Sequence, residues 1–375
     1  MNLAFITKRY GRIGGTERDL HELTVRLVAR GHDVHIYCTE VRMEAPHGIK
    51  VHRVPVIGFG RLARFLSIAW LGPRRARRNG HDLVISYERV FRQDIARCGG
   101  GTHRVFLQRM AKKSSPLTRL FRALDPYHKL VKFTEKRQFT AGNFRRAHAV
   151  SELVKQELID IYGVDDSSID VIYCGVDTDI FRPENRRTDG ATVREELGIP
   201  ADDTVALFLG NGFKRKGLDA FLAGIGATDT VHGLVVGTDS QIANYRNLAR
   251  KLGIEARVHF VGQQSETSRY YAAANLFVLP SVQEAFGIVV LEAMATGLPC
   301  LVSSRAGAAE VLPESMARFL LQDPHDPTEM ATKIKEVLEP ATHTRLAEDS
   351  RNAAMNFSLE EHARVSEKLY RSMCG

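Results

Sequence analysis

The sequence is poor in the features that mark membrane-spanning and disulfide-bonded proteins. No uncharged apolar run reaches the ~18 residues that a membrane span requires, and the N-terminal apolar stretch is too short for a signal peptide. Five cysteines are scattered without a C-x-x-C pair, so we expect reduced structural thiols and no zinc site. These absences predict a cytoplasmic protein, either soluble or held peripherally on the inner face of the plasma membrane.

What the sequence does have is length and positive charge. A chain of 375 residues is too long for one compact core, so we expect two domains. Hydrophobic residues make up 44% and charged residues 26%, as in ordinary soluble proteins. The net charge of +8 suggests an acidic partner, which could be nucleic acid, anionic lipid or a phosphorylated substrate.

Apolar strands alternate with amphipathic helices along both halves of the chain. In the first half, NLAFIT is followed by a glycine-containing loop, a helical segment that ends at Gly31, and the strand DVHIYC. Such βαβ units predict parallel sheets covered by helices. We therefore predict an α/β fold of two doubly wound, Rossmann-like domains facing a central cleft, with ligands at the carboxyl ends of the strands. Further strands are expected at IKVHRV, DLVISY, AHAVSE, IDVIYC, TVALFLG, VHGLVVG, RVHFVG, NLFVLP, CLVSS and RFLLQ.

The polar stretch around residues 184–190 is the best candidate for a linker between the domains. It divides the chain into an N-terminal domain of residues 1–185 and a C-terminal domain of residues 186–356. The remaining segment, 357–375, has the pattern of an amphipathic helix. We expect this helix to pack back on the N-terminal domain.

Two glutamates stand out in the stretch PSVQEAFGIVVLEAMATGLP, residues 280–299. A helix is predicted to start near Gly287, so that Glu284 lies ahead of it and Glu292 more than one turn inside it. The N–H groups and positive dipole end of this helix could receive a phosphate, and the carboxylates could accept hydrogen bonds from sugar hydroxyls. The alternative is that Glu292, the one charge in an apolar run, pairs with a buried Arg or Lys.

Basic residues follow a second predicted strand in GNGFKRKGLDAF, residues 210–221. Lys214, Arg215 and Lys216 lie between glycines and a helix, at the mouth of a parallel sheet. A guanidinium and an ammonium in this position suit a diphosphate. Local sequence equally allows a solvated turn whose basic side chains face water.

Two glycine-rich loops in the first half are weaker signals. In YGRIGGTERD, Gly14 and Gly15 precede a helix, where a bare backbone can approach a ligand closely, but such a pattern is more often a plain strand-to-helix turn. In CGGGTHRVF, three glycines precede Thr102 and His103. A lone histidine is more often structural than functional.

Taken together, these stretches resemble a known enzyme family. PSVQEAFGIVVLEAMATGLPCLVSSRAG is similar to the E-x7-E signature of retaining glycosyltransferases of family 4, which have the GT-B fold, and YYAAANLFVLPS is similar to the segment before that signature. FKRKG most resembles the version found in bacterial lipopolysaccharide-core glucosyltransferases. The resemblance covers nearly the whole chain and is strongest from residue 210 to residue 307.

The resemblance implies roles for individual residues. Arg215 and Lys216 would clamp the diphosphate of a nucleotide sugar, Glu284 would bind the sugar, and Glu292 would accept hydrogen bonds from the ribose. Without ligand, Glu292 is then expected to line the cleft, partly open to water and with no close Lys or Arg. The resemblance assigns catalytic roles to His103, Glu284, Arg215, Lys216 and Asp19, with Asp19 on the acceptor side. It assigns donor binding to Gly14, Gly15, Arg215, Lys216, Glu284, Phe286, Gly287 and Glu292.

Neither a metal ion nor a cofactor is expected. Asp177 and Asp179 could hold Mg²⁺ near phosphates, but GVDTDIFRP resembles a turn of GT-B enzymes that need no such metal. Relatives often have an arginine where this chain has Ile180. Arg182 is a candidate for its replacement.

A basic region of residues 104–146 interrupts the first half. Between Arg104 and Arg137 there are ten Lys or Arg against two acids, interleaved with apolar residues that include Leu117 and Leu120. This pattern suits an anionic membrane surface. A second basic patch, residues 61–78, holds the only tryptophan. One helix face on the core and one in water, or a nucleic-acid surface, are the alternatives, and we expect no nucleic acid because no nucleic-acid-binding motif is present.

The sequence therefore predicts a retaining hexosyltransferase. It would move glucose from UDP-glucose to a lipid-linked or phosphorylated saccharide, such as the inner-core heptose of lipopolysaccharide. The alternatives are a mannosyltransferase that uses GDP-mannose, another GT-B enzyme, and a non-enzymatic basic scaffold that binds membranes or nucleic acid.

Overall fold

The structure is a computed structural model that describes residues 1–12, 14–112, 119, 121–122 and 124–375. Part of the predicted basic region, including Leu117 and Leu120, thus lies outside the described residues. The chain forms two compact units. The first unit comprises Met1–Cys174 and Leu359–Gly375, and the second comprises Gly175–Ser358. Among the described helices, none is both long and apolar enough to cross a bilayer.

The first unit is a parallel sheet with helices between its strands. Its seven strands lie in the order β3-β2-β1-β4-β5-β6-β7. The strands are β1 (Asn2–Tyr10), β2 (Asp33–Val41), β3 (Ile49–Arg53), β4 (Leu83–Ser86), β5 (Ile95–Cys98), β6 (Arg146–Ala149) and β7 (Ile169–Val171). The helices are α1 (Gly15–Ala29), α2 (Gly60–Arg78), α3 (His103–Lys112), α4 (Pro126–Gln138) and α5 (Glu152–Tyr162).

The second unit repeats this plan with five parallel strands in the order β10-β9-β8-β11-β12. The strands are β8 (Val205–Leu209), β9 (His232–Val236), β10 (Val258–Gly262), β11 (Leu276–Leu279) and β12 (Cys300–Val302). The helices are α6 (Asp189–Glu196), α7 (Phe213–Lys216), α8 (Leu218–Gly226), α9 (Ile242–Lys251), α10 (Ser268–Ala273), α11 (Ile288–Ala295), α12 (Pro327–Leu338) and α13 (Pro340–Met355).

Burial explains why these segments fold as they do. The residues of β8 and β11 are buried throughout, as expected for strands covered on both faces. In α1, Leu20, Leu23 and Leu27 form the stripe that packs on the first sheet. Gly31, with φ of +82°, follows the end of that helix in the left-handed conformation. The alternation of the sequence therefore predicts the α/β fold correctly.

The last helix, α14 (Leu359–Cys374), belongs to the first unit. Its Ala363 and Tyr370 are part of the same apolar core as β1 and α1. At the edge of this core, Glu367 receives hydrogen bonds from His32 at 2.9 Å and from Arg30 at 3.2 Å. The helix that ends the chain thus completes the core of the unit that begins it.

The division between the units lies before the predicted linker. The predicted boundary at residue 185 differs from the observed one at Cys174 and Gly175. The backbone N–H of Val176 already bonds to Phe357 at 2.9 Å, and Arg351 donates to the carbonyl of Phe181 at 3.0 Å. These contacts attach residues after 174 to the second unit. Polarity around residues 184–190 marks a short 3₁₀ helix and the start of α6 instead of a linker.

Two strand assignments need correction. RFLLQ is not a strand, because residues Glu314–Phe319 form a 3₁₀ helix and Leu321 makes only an isolated bridge to Ser303. A short apolar run does not distinguish these states. Strand β5 was not predicted, because Arg97 stands in its middle and resembles a loop residue. The structure buries Arg97 in an ion pair, described below.

Candidate active site

In each sheet successive strands are added first on one side and then on the other, so the strand order reverses at one point. In the first unit this point lies between β1 and β4, and in the second between β8 and β11. The loops after such neighbouring strands diverge to opposite faces and leave a crevice for ligands. The short helix α7, which follows β8 after a brief loop, carries Arg215 and Lys216, and the loop after β11 carries Glu284. The predicted donor residues of the second unit therefore meet at its reversal point.

Glycines bring Lys216 close to the end of β8. A side chain at Gly210 would place its Cβ 2.3 Å from Cε of Lys216, so only glycine lets the lysine lie across this strand end. At Gly217, with φ of +81°, a Cβ would lie 2.1 Å from the Pro280 carbonyl oxygen. These close approaches hold Lys216 against the loops after β8 and β11.

Glu284 joins both cations in one buried ion cluster. Its Oε2 accepts hydrogen bonds from Arg215 Nη1 at 2.7 Å and from Lys216 Nζ at 2.9 Å. Burial alone would raise the pKa of Glu284, but Lys216 and Arg215 outweigh it and lower the pKa to about 2. Burial lowers the pKa of Lys216, which Glu284 partly opposes. In this cluster two basic side chains share one carboxylate oxygen.

Backbone hydrogen bonds fix the loop that carries Glu284. The N–H of Gly307 donates to the backbone carbonyl oxygen of Glu284 at 3.0 Å, and the N–H of Ala308 donates to that of Phe286 at 2.8 Å. Phe286 is buried. Gly287 then caps α11 with φ of +104° and has no side chain to satisfy the first N–H groups of the helix. An uncapped helix N-terminus beside two cations is suited to bind an anion.

Glu292 is not open to water, contrary to the expectation from the sequence. It is only 5% exposed, and its Oε2 accepts a hydrogen bond from the Tyr271 hydroxyl at 2.8 Å. The expectation of partial exposure was wrong because α10 supplies Tyr271, which covers this face of α11. The charge of Glu292 also raises the pKa of Lys216, against the effect of burial. Glu292 and Glu284 therefore both act on the same lysine.

The glycines of the first unit lie where α1 begins. Gly14, with φ of +111°, is the N-cap of α1, and Gly15 is its first residue. This loop follows β1 at the reversal point of the first sheet. The N–H of Arg18 donates to the carbonyl oxygen of Gly14 at 3.0 Å, which is the first hydrogen bond of the helix. The backbone N–H groups between Gly14 and Arg18 can therefore bind other partners. The position suits the predicted contact with donor phosphates.

Asp19 lies in the core of the first unit, with 1% of its side chain exposed. Arg97 Nη2 donates to Asp19 Oδ2 at 2.7 Å, and Arg97 itself is 2% exposed. Burial alone would lower the pKa of Arg97, but Asp19 outweighs it and raises the pKa. The ring of Tyr87 lies 4.4 Å from the guanidinium. Asp19 therefore neutralises a buried arginine and cannot reach an acceptor unless this pair opens.

His103 begins α3 and is held by α4. Its backbone N–H donates to both carboxylate oxygens of Glu135 at 3.0 Å, and its Nε2 lies 3.0 Å from Nδ1 of His128. Burial, reinforced by Arg89, lowers the pKa of His103 to about 4. The imidazole is therefore neutral at pH 7, which suits a hydrogen bond to a sugar hydroxyl better than an ionic contact with phosphate.

The aspartates of GVDTD form a turn. Asp177 Oδ1 accepts the backbone N–H groups of Asp179 and Ile180, both at 3.1 Å. Arg182 donates to Asn185 at 3.2 Å, while Arg351 from α13 binds the carbonyl oxygens of this turn. Within the described residues, no group of three or more His, Cys, Asp or Glu side chains is arranged to hold a metal ion.

Sequence reasoning missed three residues that support the site. Tyr271 holds Glu292, Arg97 holds Asp19, and Glu135 holds the start of α3. Each acts across a long separation in sequence. The available signals were weak: YYAAANLF precedes the E-x7-E stretch, and Arg97 interrupts an apolar run. Neither pattern specifies the partner.

Two family models match successive parts of the chain. Residues 13–180 match Glycosyltransferase Family 4, and residues 189–355 match Glycosyl transferases group 1. The lipopolysaccharide glucosyltransferase WaaG of Escherichia coli is 25% identical over 375 residues, with 97% of both proteins covered. A D-inositol 3-phosphate glycosyltransferase of a Nocardioides strain is 31% identical over 245 residues. That alignment covers 60% of this chain and only 52% of the relative, about half its length.

Solved structures agree on the fold. A crystal structure of WaaG superposes with a TM-score of 0.83 at 22% identity, covering 98% of this chain and 99% of that one. Anabaena Alr3699/HepE in complex with UDP and glucose gives a TM-score of 0.74 at 19% identity, covering 99% and 100%. At these identities the likeness establishes the architecture of two parallel-sheet, Rossmann-like domains.

Proposed function

The chain belongs to the glycosyltransferases of family 4 with the GT-B fold, and we propose that it is a retaining hexosyltransferase that uses UDP-glucose. The observation that carries this proposal is the ion cluster of Arg215, Lys216 and Glu284 beside the N-terminus of α11. The cluster sets two basic side chains against one carboxylate at the point of the second sheet where ligands bind. A negatively charged diphosphate would bind to the two basic side chains and to the N–H groups at the start of α11.

Charge development explains how such a site promotes transfer. When the bond between the sugar anomeric carbon and the diphosphate oxygen breaks, negative charge grows on the diphosphate. Arg215, Lys216 and the N–H groups at the start of α11 would stabilise that charge. The acceptor hydroxyl oxygen bonds to the anomeric carbon, and its proton passes to the leaving phosphate. This front-face course rests on family analogy.

The neutral His103 and the carboxylate of Glu284 are proposed to contact the transferred sugar. Glu284 already binds both cations, so it can position the clamp and turn a remaining lone pair to sugar hydroxyls. The lowered pKa of His103 keeps it uncharged. His103 would orient the hexose without a charge, and the negative charge of Glu284 would be offset by its ion pairs with Arg215 and Lys216.

The first testable consequence concerns the donor. Purified protein incubated with UDP-glucose and a heptose-containing core oligosaccharide should release UDP, with EDTA leaving the rate unchanged. The product should keep the anomeric configuration of the donor, as judged by NMR of the new linkage. GDP-mannose is the comparison donor. UDP release that fails with UDP-glucose while GDP is released from GDP-mannose would contradict the proposed donor and favour a mannosyltransferase.

The acceptor is proposed to be a saccharide held at the inner membrane surface, such as the inner-core heptose of lipopolysaccharide. WaaG, to which the chain is similar over nearly its whole length, is named for lipopolysaccharide. Helix α4 supports a membrane position, because Lys129, Lys132 and Lys136 accompany an exposed Phe133. Cationic side chains around an exposed aromatic ring are typical of proteins at anionic membranes.

Charge reversal of α4 tests this membrane contact. The triple variant Lys129→Glu, Lys132→Glu, Lys136→Glu should lose most of its co-sedimentation with phosphatidylglycerol vesicles, since each basic residue contributes about 1 kcal/mol near such a surface. The matched control reverses three exposed cations of the second unit: Lys251→Glu, Lys335→Glu, Arg345→Glu. Equal co-sedimentation of both variants would count against a membrane role for α4.

A further inference from the structure

A cavity of about 520 Å³ lies in the first unit between α2, the loop after β4, and α4. All of its lining residues belong to the first unit. Aromatic and basic side chains dominate its walls. The lining residues are Ala69, Trp70, Pro73, Arg74, Arg77, Phe91, Arg92, Phe133, Arg137 and Asn143. We refer to it as the Trp70 cavity.

A proline inside α2 builds one wall of this cavity. Pro73 has no N–H, so it cannot donate to the carbonyl of Ala69 one turn earlier. The backbone N–H of Phe91 donates to that carbonyl instead, at 3.2 Å. This bond docks the loop after β4 onto α2. The ring of Phe91 then meets that of Phe133 on α4, with centroids 6.5 Å apart in an edge-to-face arrangement.

Four arginines give the Trp70 cavity a strong positive charge. In the part of the chain that the structure describes, only Arg77 has an acidic partner, Asp94, at 3.5 Å. The guanidinium of Arg74 lies 4.0 Å from the Trp70 ring, and its Nη1 donates to the Trp70 carbonyl at 3.1 Å. The stacking holds Arg74 in one orientation and leaves other N–H groups for a ligand. Arg92 and Arg137 add two more exposed guanidinium groups.

Apolar side chains continue from the cavity onto the protein surface. Trp70 is 49% and Phe133 57% exposed, and Leu66 lies one helical turn before Trp70 on the same face of α2. Phe59, which precedes the helix, is fully exposed. A free phosphate or a sugar phosphate would use the arginines but not this apolar strip. A ligand with an anionic head and an apolar tail would use both.

We propose that the Trp70 cavity binds the phosphodiester headgroup of one anionic phospholipid. The arginines would receive the phosphate with charge-assisted hydrogen bonds, and the apolar strip of α2 would lie along the acyl chains. Tryptophan is enriched at the level of lipid headgroups because its ring is apolar and its N–H is polar. This inference rests on the proposed membrane position of the protein. To the general attraction of the α4 lysines for an anionic surface it adds a binding site for one lipid, to which α4 contributes Phe133 and Arg137.

The single tryptophan of the chain makes the site directly observable. Trp70 fluorescence should change saturably when dihexanoyl phosphatidylglycerol is added below its critical micelle concentration, without any bilayer. Dihexanoyl phosphatidylcholine and inorganic phosphate should produce little change. The double variant Arg74→Gln, Arg137→Gln should weaken phosphatidylglycerol binding at least about tenfold, through loss of charge-assisted hydrogen bonds.

Arg246→Gln is the matched control, because this exposed arginine of the second unit also lies over an aromatic ring, Phe260. It should bind phosphatidylglycerol like the unaltered protein. Thermal unfolding followed by circular dichroism confirms that each variant is folded. Equal responses to both lipids, an equal response to inorganic phosphate, or unchanged binding by the double variant would overturn the proposal.

The lipid titration and the test of the proposed function can fail independently of each other. UDP release with a soluble acceptor requires no lipid, so the double variant should keep the donor activity of the unaltered protein. Failure of the lipid titration beside retained transfer would overturn only the Trp70 site. Failure of UDP release with every donor would overturn the proposed function and leave the fluorescence result standing.

Discussion

Replacing Lys216 by alanine is expected to lower kcat/KM for UDP-glucose by about two to three orders of magnitude. Removing one preorganised donor from developing negative charge typically has an effect of this size. Lys216 is held in place by Gly210, by Glu284 and by burial against the end of β8. Because these contacts exist before the donor arrives, the ammonium needs little reorganisation to stabilise the departing diphosphate.

The neighbouring lysine provides the control for this prediction. Lys214 belongs to the same helix, α7, but is exposed, whereas Lys216 is buried. Lys214→Ala should therefore change kcat/KM by no more than about threefold, as is usual for surface substitutions. Lys216→Met keeps the length of the side chain and should be as inactive as Lys216→Ala. Turnover of Lys216→Ala near that of Lys214→Ala would contradict the diphosphate clamp.

The two glutamates of the E-x7-E stretch have unequal environments that bear on the same lysine. Glu284 bonds directly to Lys216 and Arg215, and its pKa falls to about 2. Glu292 lies inside α11, buried behind Tyr271, and acts on Lys216 through its charge. The spacing thus places one carboxylate before a helix N-terminus and one inside the helix. The sequence indicates this geometry, but not that Lys216 is shared.

Local patterns predict elements well because each element depends on nearby residues. The strands β8 and β11 are continuous apolar runs, and the start of α11 follows from Gly287. The partners of buried charges, in contrast, are not set by nearby residues. Glu284 and Arg215 are separated by 69 residues, and only the reversal of strand order between β8 and β11 brings them together. No periodicity in the sequence indicates this contact between Glu284 and Arg215.

The same limitation applies to Asp19, for which the family resemblance implies a position on the acceptor side. On α1, an aspartate after a glycine loop is consistent with a ligand contact. Its actual partner, Arg97, lies on β5, where a charged residue argues against a strand. Two residues that each look misplaced in the sequence neutralise one another in the structure. A buried charge is tolerated because its counter-charge is buried with it.

Asp19→Ala is accordingly expected to destabilise the first unit by about 3–5 kcal/mol, because it leaves the Arg97 charge buried without its main partner. Arg97→Met should have a comparable effect through the stranded carboxylate. The double variant Asp19→Leu, Arg97→Met should cost much less than the sum of the single variants, since both charges leave together. The coupling between the two sites measures the ion pair directly.

Trp70 lies in the first unit and reports its unfolding, while far-ultraviolet circular dichroism reports both units. The urea midpoint followed by Trp70 fluorescence should shift strongly in Asp19→Ala. In Asp160→Ala, an exposed site in the same unit, the free energy of unfolding from the same titration should change by about 0.5 kcal/mol or less. If Asp19 instead contacted the acceptor, Asp19→Ala would keep its midpoint and raise KM for the acceptor alone. Because the side chain is 1% exposed, we expect the loss of stability, with the loss of activity following the unfolded fraction.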